Sequence, residues 1–421
     1  MTIFKKLLIN LVMTGLLVST GCDTNHSVKN SGQTSSPSKP ATVRKQMTIK
    51  TGLRGVFFNP YIKSNDILGY YSEYRAAVCG ALRDLVNKNI NLITVYILVP
   101  YTLNNPAHPP LVKEPITTWT SEAEKDLVFF NTSYLKNVLL FVDDCHDAGI
   151  SVEFDLADNR WVPYSVDPNN SIGKPGSCWP VADDTPWDEA ATWYTDVICY
   201  IEAHTHHPET IAMWCMTGNY QLGGAEPVMW EINAKPAILK YTEKFVKNVW
   251  PAFVAAGKRP KTAPYAFPIF SNDAYWLTKT PEQRLVGFTN VKKWLVDDLK
   301  LPPDYWIMTT YANCNPAPDG FYYLRRIVEI LGKDNASRII TSDFKAGGHE
   351  QEIQASIVPA GNYSASQRLR WNLQKCAEYG FAGWWIWSYQ DNDIDKSGIR
   401  NMDGTWKTDF MQIIKEFTPA K

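Results

Sequence analysis

LITVYILV, residues 92–99, is the stretch on which the fold turns. It is an apolar run of strand length, rich in β-branched residues. It reads as a strand buried on both faces, the pattern of a parallel sheet covered by helices. Just before it, residues 73–89 (EYRAAVCGALRDLVNKN) read as an amphipathic helical stretch. Working outward, similar runs occur at 53–59 (LRGVFFN), 151–156 (SVEFDL), 211–216 (IAMWCM), 262–267 (TAPYAF), 306–311 (WIMTTY), 338–343 (RIITSD) and 383–388 (GWWIWS). Amphipathic helical stretches separate them at 133–148, 190–204, 234–256, 290–299, 321–331 and 364–379, and 408–417 follows the last.

Eight strand–helix units in this order predict an α/β protein, a closed (β/α)8 or TIM barrel in one domain over residues 49–421. The alternative is an open doubly wound sheet. It is weakened because no glycine-rich phosphate loop follows the first strand. The fifth strand is the weakest assignment, because it carries Pro264.

A barrel gathers its chemistry at the carboxyl ends of its strands. There the sequence delivers Asn59 and Tyr61 from strand one and Asp155, Asp158, Asn159 and Trp161 from strand three. Strand four adds Asn219 and Tyr220, strand six Tyr311 and Asn313, strand seven Asp343, and strand eight Trp387 and Asp391. Amides and carboxylates interleaved with flat aromatics suit a pyranose, which offers one apolar C–H face and a rim of hydroxyls. The candidate substrate-binding residues are Asn59, Asp155, Asp158, Trp161, Tyr311, Trp387 and Asp391. Trp385 and Trp387 are expected on opposite sides of their strand, one facing the barrel interior and the other the helices.

Composition narrows the class. Lys plus Arg at 42 against Asp plus Glu at 43 leaves a net charge of −1 with no long run of either sign in the body, which argues against nucleic acid as a partner. None of the seven histidines falls in an HxH or HExxH spacing, so no metal site and no cofactor is expected. Of the eight cysteines, Cys79, Cys145, Cys199 and Cys376 fall on helical patterns and read as small buried hydrophobes; Cys178 and Cys314 fall in loops.

The first residues read as an address. Lys5 and Lys6 precede an apolar stretch from Leu7 to Val18, and Ser19, Thr20 and Gly21 lead to Cys22. This resembles a bacterial lipoprotein signal over residues 1–21, with acylation of Cys22 tethering the exported protein to a membrane of the cell envelope. In that resemblance Ser19 stands where Leu is usual. Residues 22–48, rich in Ser, Pro, Thr, Asn and Lys, read as a flexible linker.

The body's motifs carry a second resemblance. HHPETIAMWCMTGNYQ (206–221), PDYWIMTTY (303–311), RIITSDF (338–344) and GFAGWWIWSYQDND (380–393) together resemble strands four, six, seven and eight of the clan A glycoside hydrolases, the cellulase and mannanase type. The resemblance implies an acid/base Asn-Glu pair on strand four, an active-site Tyr at Tyr311, a nucleophile on strand seven and a sugar platform at Trp387. It also implies oligosaccharide or polysaccharide as the partner.

The departures fall on the chemistry. Asn219-Tyr220 stands where Asn-Glu is expected, and Asp343 stands where the nucleophilic Glu is expected. Retaining hydrolysis needs two carboxyl groups about 5–5.5 Å apart, and an inverting scheme tolerates about 6.5–9.5 Å. An amide cannot shuttle a proton, and Asp is one methylene shorter than Glu. The catalytic candidates are therefore Asp343, Tyr220 and Asn219, with Asp155, Asp158 or Glu226 as substitute carboxylates in an inverting scheme. Two readings stay open at this level: a hydrolase acting on a β-linked polysaccharide or cell-surface glycan, and a membrane-tethered glycan-binding pseudoenzyme.

Overall fold

The eight apolar runs pair in chain order into a closed, all-parallel barrel. The strands are β1 (Leu53–Phe57), β2 (Leu92–Leu98), β3 (Ser151–Ala157), β4 (Ile211–Met216), β5 (Tyr265–Phe270), β6 (Tyr305–Thr309), β7 (Ile339–Phe344) and β8 (Gly383–Ile386). A computed structural model gives this architecture and describes residues 49–60, 67–98, 132–157, 197–216, 243, 246–251, 254, 263–270, 288–309, 322–344, 364–391 and 396–418. The barrel lies within Lys45–Lys421. The expected signal and linker, residues 1–48 with Cys22, lie outside the described residues.

Helices cover the barrel, among them α1 (Tyr71–Asn87), α2 (Thr132–Ala148), α3 (Tyr322–Leu331), α4 (Ala365–Tyr379) and α5 (Thr408–Glu416). The boundaries of α4 follow from local chemistry. The Ser364 side chain accepts from the Gln367 amide while the Gln367 side chain accepts from the Ser364 amide, a reciprocal cap. At the other end Gly380 takes φ 69°, a left-handed turn that glycine adopts without steric cost. Between these caps Leu369, Leu373 and Cys376 recur at helical spacing and are buried against the sheet.

Strand alternation then divides the core into two layers. Outward residues such as Val56, Val95, Phe154, Trp214 and Trp384 pack against the helices. Inward residues such as Phe57, Leu92, Met213, Ile307 and Trp385 fill the barrel. Gly55 makes room for one of them: a Cβ there would stand 2.6 Å from the Trp385 Cβ. At the amino end of the barrel, Ile49 packs on this interior cluster. The Tyr305 hydroxyl accepts from the Lys50 amide at 2.7 Å and donates to its carbonyl at 2.9 Å, fixing that entry.

Three details differ from expectation. β5 begins at Tyr265, so Pro264 precedes the strand and Pro268 lies inside it. The last pair between β4 and β5 is Cys215 with Ala266, so the N–H that Pro268 lacks falls past that ladder. Second, Trp385 and Trp387 do not face opposite ways. They are two residues apart, and in a strand that spacing puts both on one face; both pack on the interior cluster, while their neighbours Trp384 and Ile386 face the helices. Third, β7 carries a bulge. Thr341 pairs with Trp384 but Phe344 pairs with Ile386, so Ser342 and Asp343 together stand opposite the single residue Trp385.

Two of the four helix-borne cysteines match the expectation of burial. Cys145 and Cys376 are buried thiols, Cys79 and Cys199 are partly buried, and none of the four is in a disulfide. Burial pushes the Cys376 thiol up to about 12, against a contact with Thr341 that lowers it. Cys178 and Cys314 lie outside the described residues.

Candidate functional site

β3 reads Ser-Val-Glu-Phe-Asp-Leu-Ala, with Val152, Phe154 and Leu156 packed outward and Glu153 and Asp155 between them. Period-two alternation therefore sends both carboxyl groups into the barrel, where Glu153 is 0% and Asp155 1% exposed. Register puts them in line with their neighbours. Glu153 pairs with Thr94 on β2 and Met213 on β4, and Asp155 pairs with Tyr96 and Cys215. A second bulge supports this on the far side: β4 gains one residue between the pairs Val152–Ile211 and Glu153–Met213, which sets Ala212 and Met213 together on the inner face.

The Thr94 hydroxyl donates to Glu153 Oε2 at 3.2 Å. The ligand atoms of Glu153, Asp155 and Cys215 all lie within 4.8 Å of one another. Desolvation, then the charges of Asp155 and Glu153, push the Cys215 thiol well up, which keeps it a protonated thiol and a poor nucleophile.

Toward the carboxyl ends of the strands the interior becomes aromatic. The Trp387 and Phe57 rings stack at 4.2 Å between centroids with planes 11° apart, and Tyr96 leans on Phe57 at 4.7 Å. Trp385 lies 6.4 Å from Phe57, and its buried indole N–H has no hydrogen-bond partner among the described residues. The Trp387–Ser388 peptide bond is cis. The described part of the site is thus an aromatic layer around Phe57, with the Glu153–Asp155 pair on a nearby strand of the same barrel.

Of the residues singled out in the sequence, the structure brings Asp155 and Trp387 to this interior. Asn59, half-buried, accepts from the Tyr389 amide at 3.3 Å and so ties the end of β1 to the segment after β8. Asp391 is buried in that segment, where its Oδ1 accepts from the Gly398 amide at 2.8 Å and from Lys407 Nζ at 2.9 Å. These contacts tie Asp391 to Gly398 and Lys407. Asp343 is placed by its backbone alone, at the bulge beside Trp385. Tyr61, Asp158, Asn159, Trp161, Asn219, Tyr220, Glu226, Tyr311 and Asn313 lie outside the described residues.

Glu153 is not among the sequence candidates. Its signal is available in VEFDL, where two acids at period two inside an apolar strand mark a polar inner face.

Comparison with known proteins bears on the fold. No protein-family profile matches the chain, and no curated protein matches it. Solved structures do. A GH5_18 protein from Bifidobacterium longum subsp. infantis superposes with a TM-score of 0.53 at 14% identity, over 89% of this chain and 80% of that one. An exo-β-1,4-mannosidase from Opitutaceae bacterium strain TAV5 gives 0.53 at 11% identity, over 88% of this chain and 62% of that one. A GH5_18 variant from Streptomyces cattleya, in complex with Manβ1-4GlcNAc, gives 0.52 at 11% identity, over 88% and 80%. The closed parallel barrel of this chain is the fold of these clan A glycoside hydrolase structures.

Proposed function

We propose that this is an exported, carbohydrate-active protein of glycoside hydrolase type, anchored through Cys22, that takes a β-linked oligosaccharide at the carboxyl-terminal mouth of its barrel. The observation that carries the reading is the Phe57–Trp387 stack beside the carboxyl ends of the strands, with buried carboxylates on β3 and Asp343 on the β7 bulge. A rigid aromatic pair offers the apolar surface that a pyranose face needs, and acids in a water-poor interior are the groups that glycosidic chemistry uses. The disaccharide in the S. cattleya structure and the β-1,4 specificity in the name of the mannosidase point to the same substrate class.

In this reading Asp343 is the catalytic carboxylate. Asn219 and Tyr220 occupy the acid/base position, and Asp158, Trp161, Tyr311, Asn59 and Asp391 line or support the cleft. The second reading, a glycan binder without turnover, is favoured by Asn219-Tyr220 itself, since neither side chain is a carboxylate. Calorimetric titration of the full chain with β-1,4-linked manno- and cello-oligosaccharides tests the common part. Saturable heat is expected, and no binding of either series up to millimolar sugar would sink the proposal.

A further inference from the structure

The structure holds a second cluster of ligating side chains, on the opposite end of the barrel from the mouth. His146 sits in the last turn of α2, and His207 and Glu209 flank Pro208 at the short 3-10 turn Pro208–Thr210 that leads into β4. Both imidazoles aim Nδ1 at one carboxylate oxygen: Glu209 Oε1 is 3.5 Å from His146 and 3.2 Å from His207. The rings lie face to face, 3.5 Å apart and 6° from parallel. Ligand atoms of all three residues fall within 4.8 Å of one another.

We propose that His146, His207 and Glu209 form a binding site for a zinc-class divalent transition-metal ion. Two imidazoles and one carboxylate are a donor set such ions favour, with water completing a tetrahedron, whereas magnesium and calcium prefer all-oxygen shells. The side chains are 42%, 34% and 63% exposed, so an ion reaches them from solvent without opening the fold. The other described trio of this kind, Glu153, Asp155 and Cys215, is buried in the barrel interior.

The backbone under the site is fixed. Pro208 starts the turn, the Thr210 amide bonds the His207 carbonyl at 3.0 Å, and the Thr210 hydroxyl meets His146 Nδ1 at 3.4 Å. One ion cannot lie in the planes of two stacked rings. Binding therefore turns the more exposed imidazole, His146, about its χ2 and exchanges the Thr210 contact for the metal. The site pins the end of α2 to the start of β4, which makes it structural and distinct from the mouth.

The test is zinc uptake by the full chain, read by titration calorimetry and by metal content after dialysis. One equivalent is expected in wild type. His207→Ala should weaken it by about tenfold or more, Glu209→Gln should weaken it with the side-chain volume kept, and His146→Ala/His207→Ala should abolish it. Circular dichroism of each variant confirms the barrel. Cobalt loading adds a signature: nitrogen and oxygen ligands give weak visible bands, and thiolate coordination gives intense near-ultraviolet absorption. No uptake at millimolar zinc, uptake unchanged in the double variant, or a thiolate band lost in Cys215→Ser would each overturn the proposal.

Discussion

The Trp387 indole lies face to face with the Phe57 ring, 4.2 Å between centroids and 11° from parallel, joining the end of β8 to the end of its neighbour β1. Such a pair is held by its own packing before any ligand arrives, and a sugar stacking on it loses little side-chain freedom. On the proposed function, Trp387→Ala should weaken oligosaccharide binding by about five- to thirtyfold, roughly 1–2 kcal/mol of apolar contact. Thermal unfolding should show the barrel intact. Unchanged affinity in calorimetry would remove Trp387 from the cleft.

The close approach of β1 and β8 gives a prediction independent of function. Gly55→Ala places a methyl 2.6 Å from the Trp385 Cβ, a backbone-proximal atom that no rotamer change can move. The strands must spread, at a cost of about 1–3 kcal/mol. The urea midpoint should fall accordingly, with the slope unchanged. A variant as stable as wild type would show that the barrel yields there.

The barrel is legible because its strands are buried on both faces, and such strands announce themselves as unbroken apolar runs like LITVYILV. What is less legible depends on register. One added residue in β7 sets Asp343 opposite Trp385 together with Ser342, and no propensity marks that bulge in RIITSDF. Pro264 reads as a strand residue, yet the strand starts one residue later and tolerates Pro268 where the ladder to β4 has ended. Trp385 and Trp387 need only the period of two to be placed together. Asp155 is found from its position at a strand end, whereas its partner Glu153 escapes that criterion, although the same alternation carries both inward.

The proposed lipid anchor at Cys22 is tested in cells. Metabolic labelling with a fatty acid should mark the protein in the membrane fraction, and Cys22→Ser should lose both label and membrane association. Label retained after the Cys22→Ser substitution would refute acylation at this position.

Between α1 and α2, the buried Asp144 accepts from Tyr71 Oη at 2.5 Å and from Arg75 Nε and Nη2 at 2.7 Å each. Burial raises its carboxyl, but the hydrogen bonds from Arg75 and Tyr71 outweigh that and hold it below the usual carboxylate value. A carboxyl lowered in the folded state stabilises the protein above its unfolded value and loses that contribution as pH falls through the folded value. Asp144→Asn should therefore cost about 1–3 kcal/mol near neutral pH. The gap to wild type should begin to narrow below about pH 4, where the unfolded carboxyl protonates, and close as pH falls through the lower folded value. A gap independent of pH would assign the loss to packing.

The final prediction separates hydrolase from binder. Asn219 and Tyr220 cannot give and retrieve a proton efficiently at neutral pH, because an amide does not titrate and a phenol holds its proton up to about pH 10. If the barrel only binds, wild type should retain oligosaccharides with no detectable turnover. Tyr220→Glu with Asp343→Glu should then create hydrolysis of an activated aryl glycoside, whose leaving group needs little acid help and so reports the nucleophile. If the present residues already work, wild type should hydrolyse a β-linked polysaccharide, and Asp343→Asn should abolish it while binding survives. Asp155→Asn then locates the proton donor. Its carboxyl is buried beside Glu153 and Cys215, so loss of turnover on natural substrate with near-normal turnover of the activated glycoside would mark it as the acid. Equal loss on both substrates would instead make Asp155 part of the barrel's interior scaffold and return the search for a donor to Asp158 and Glu226.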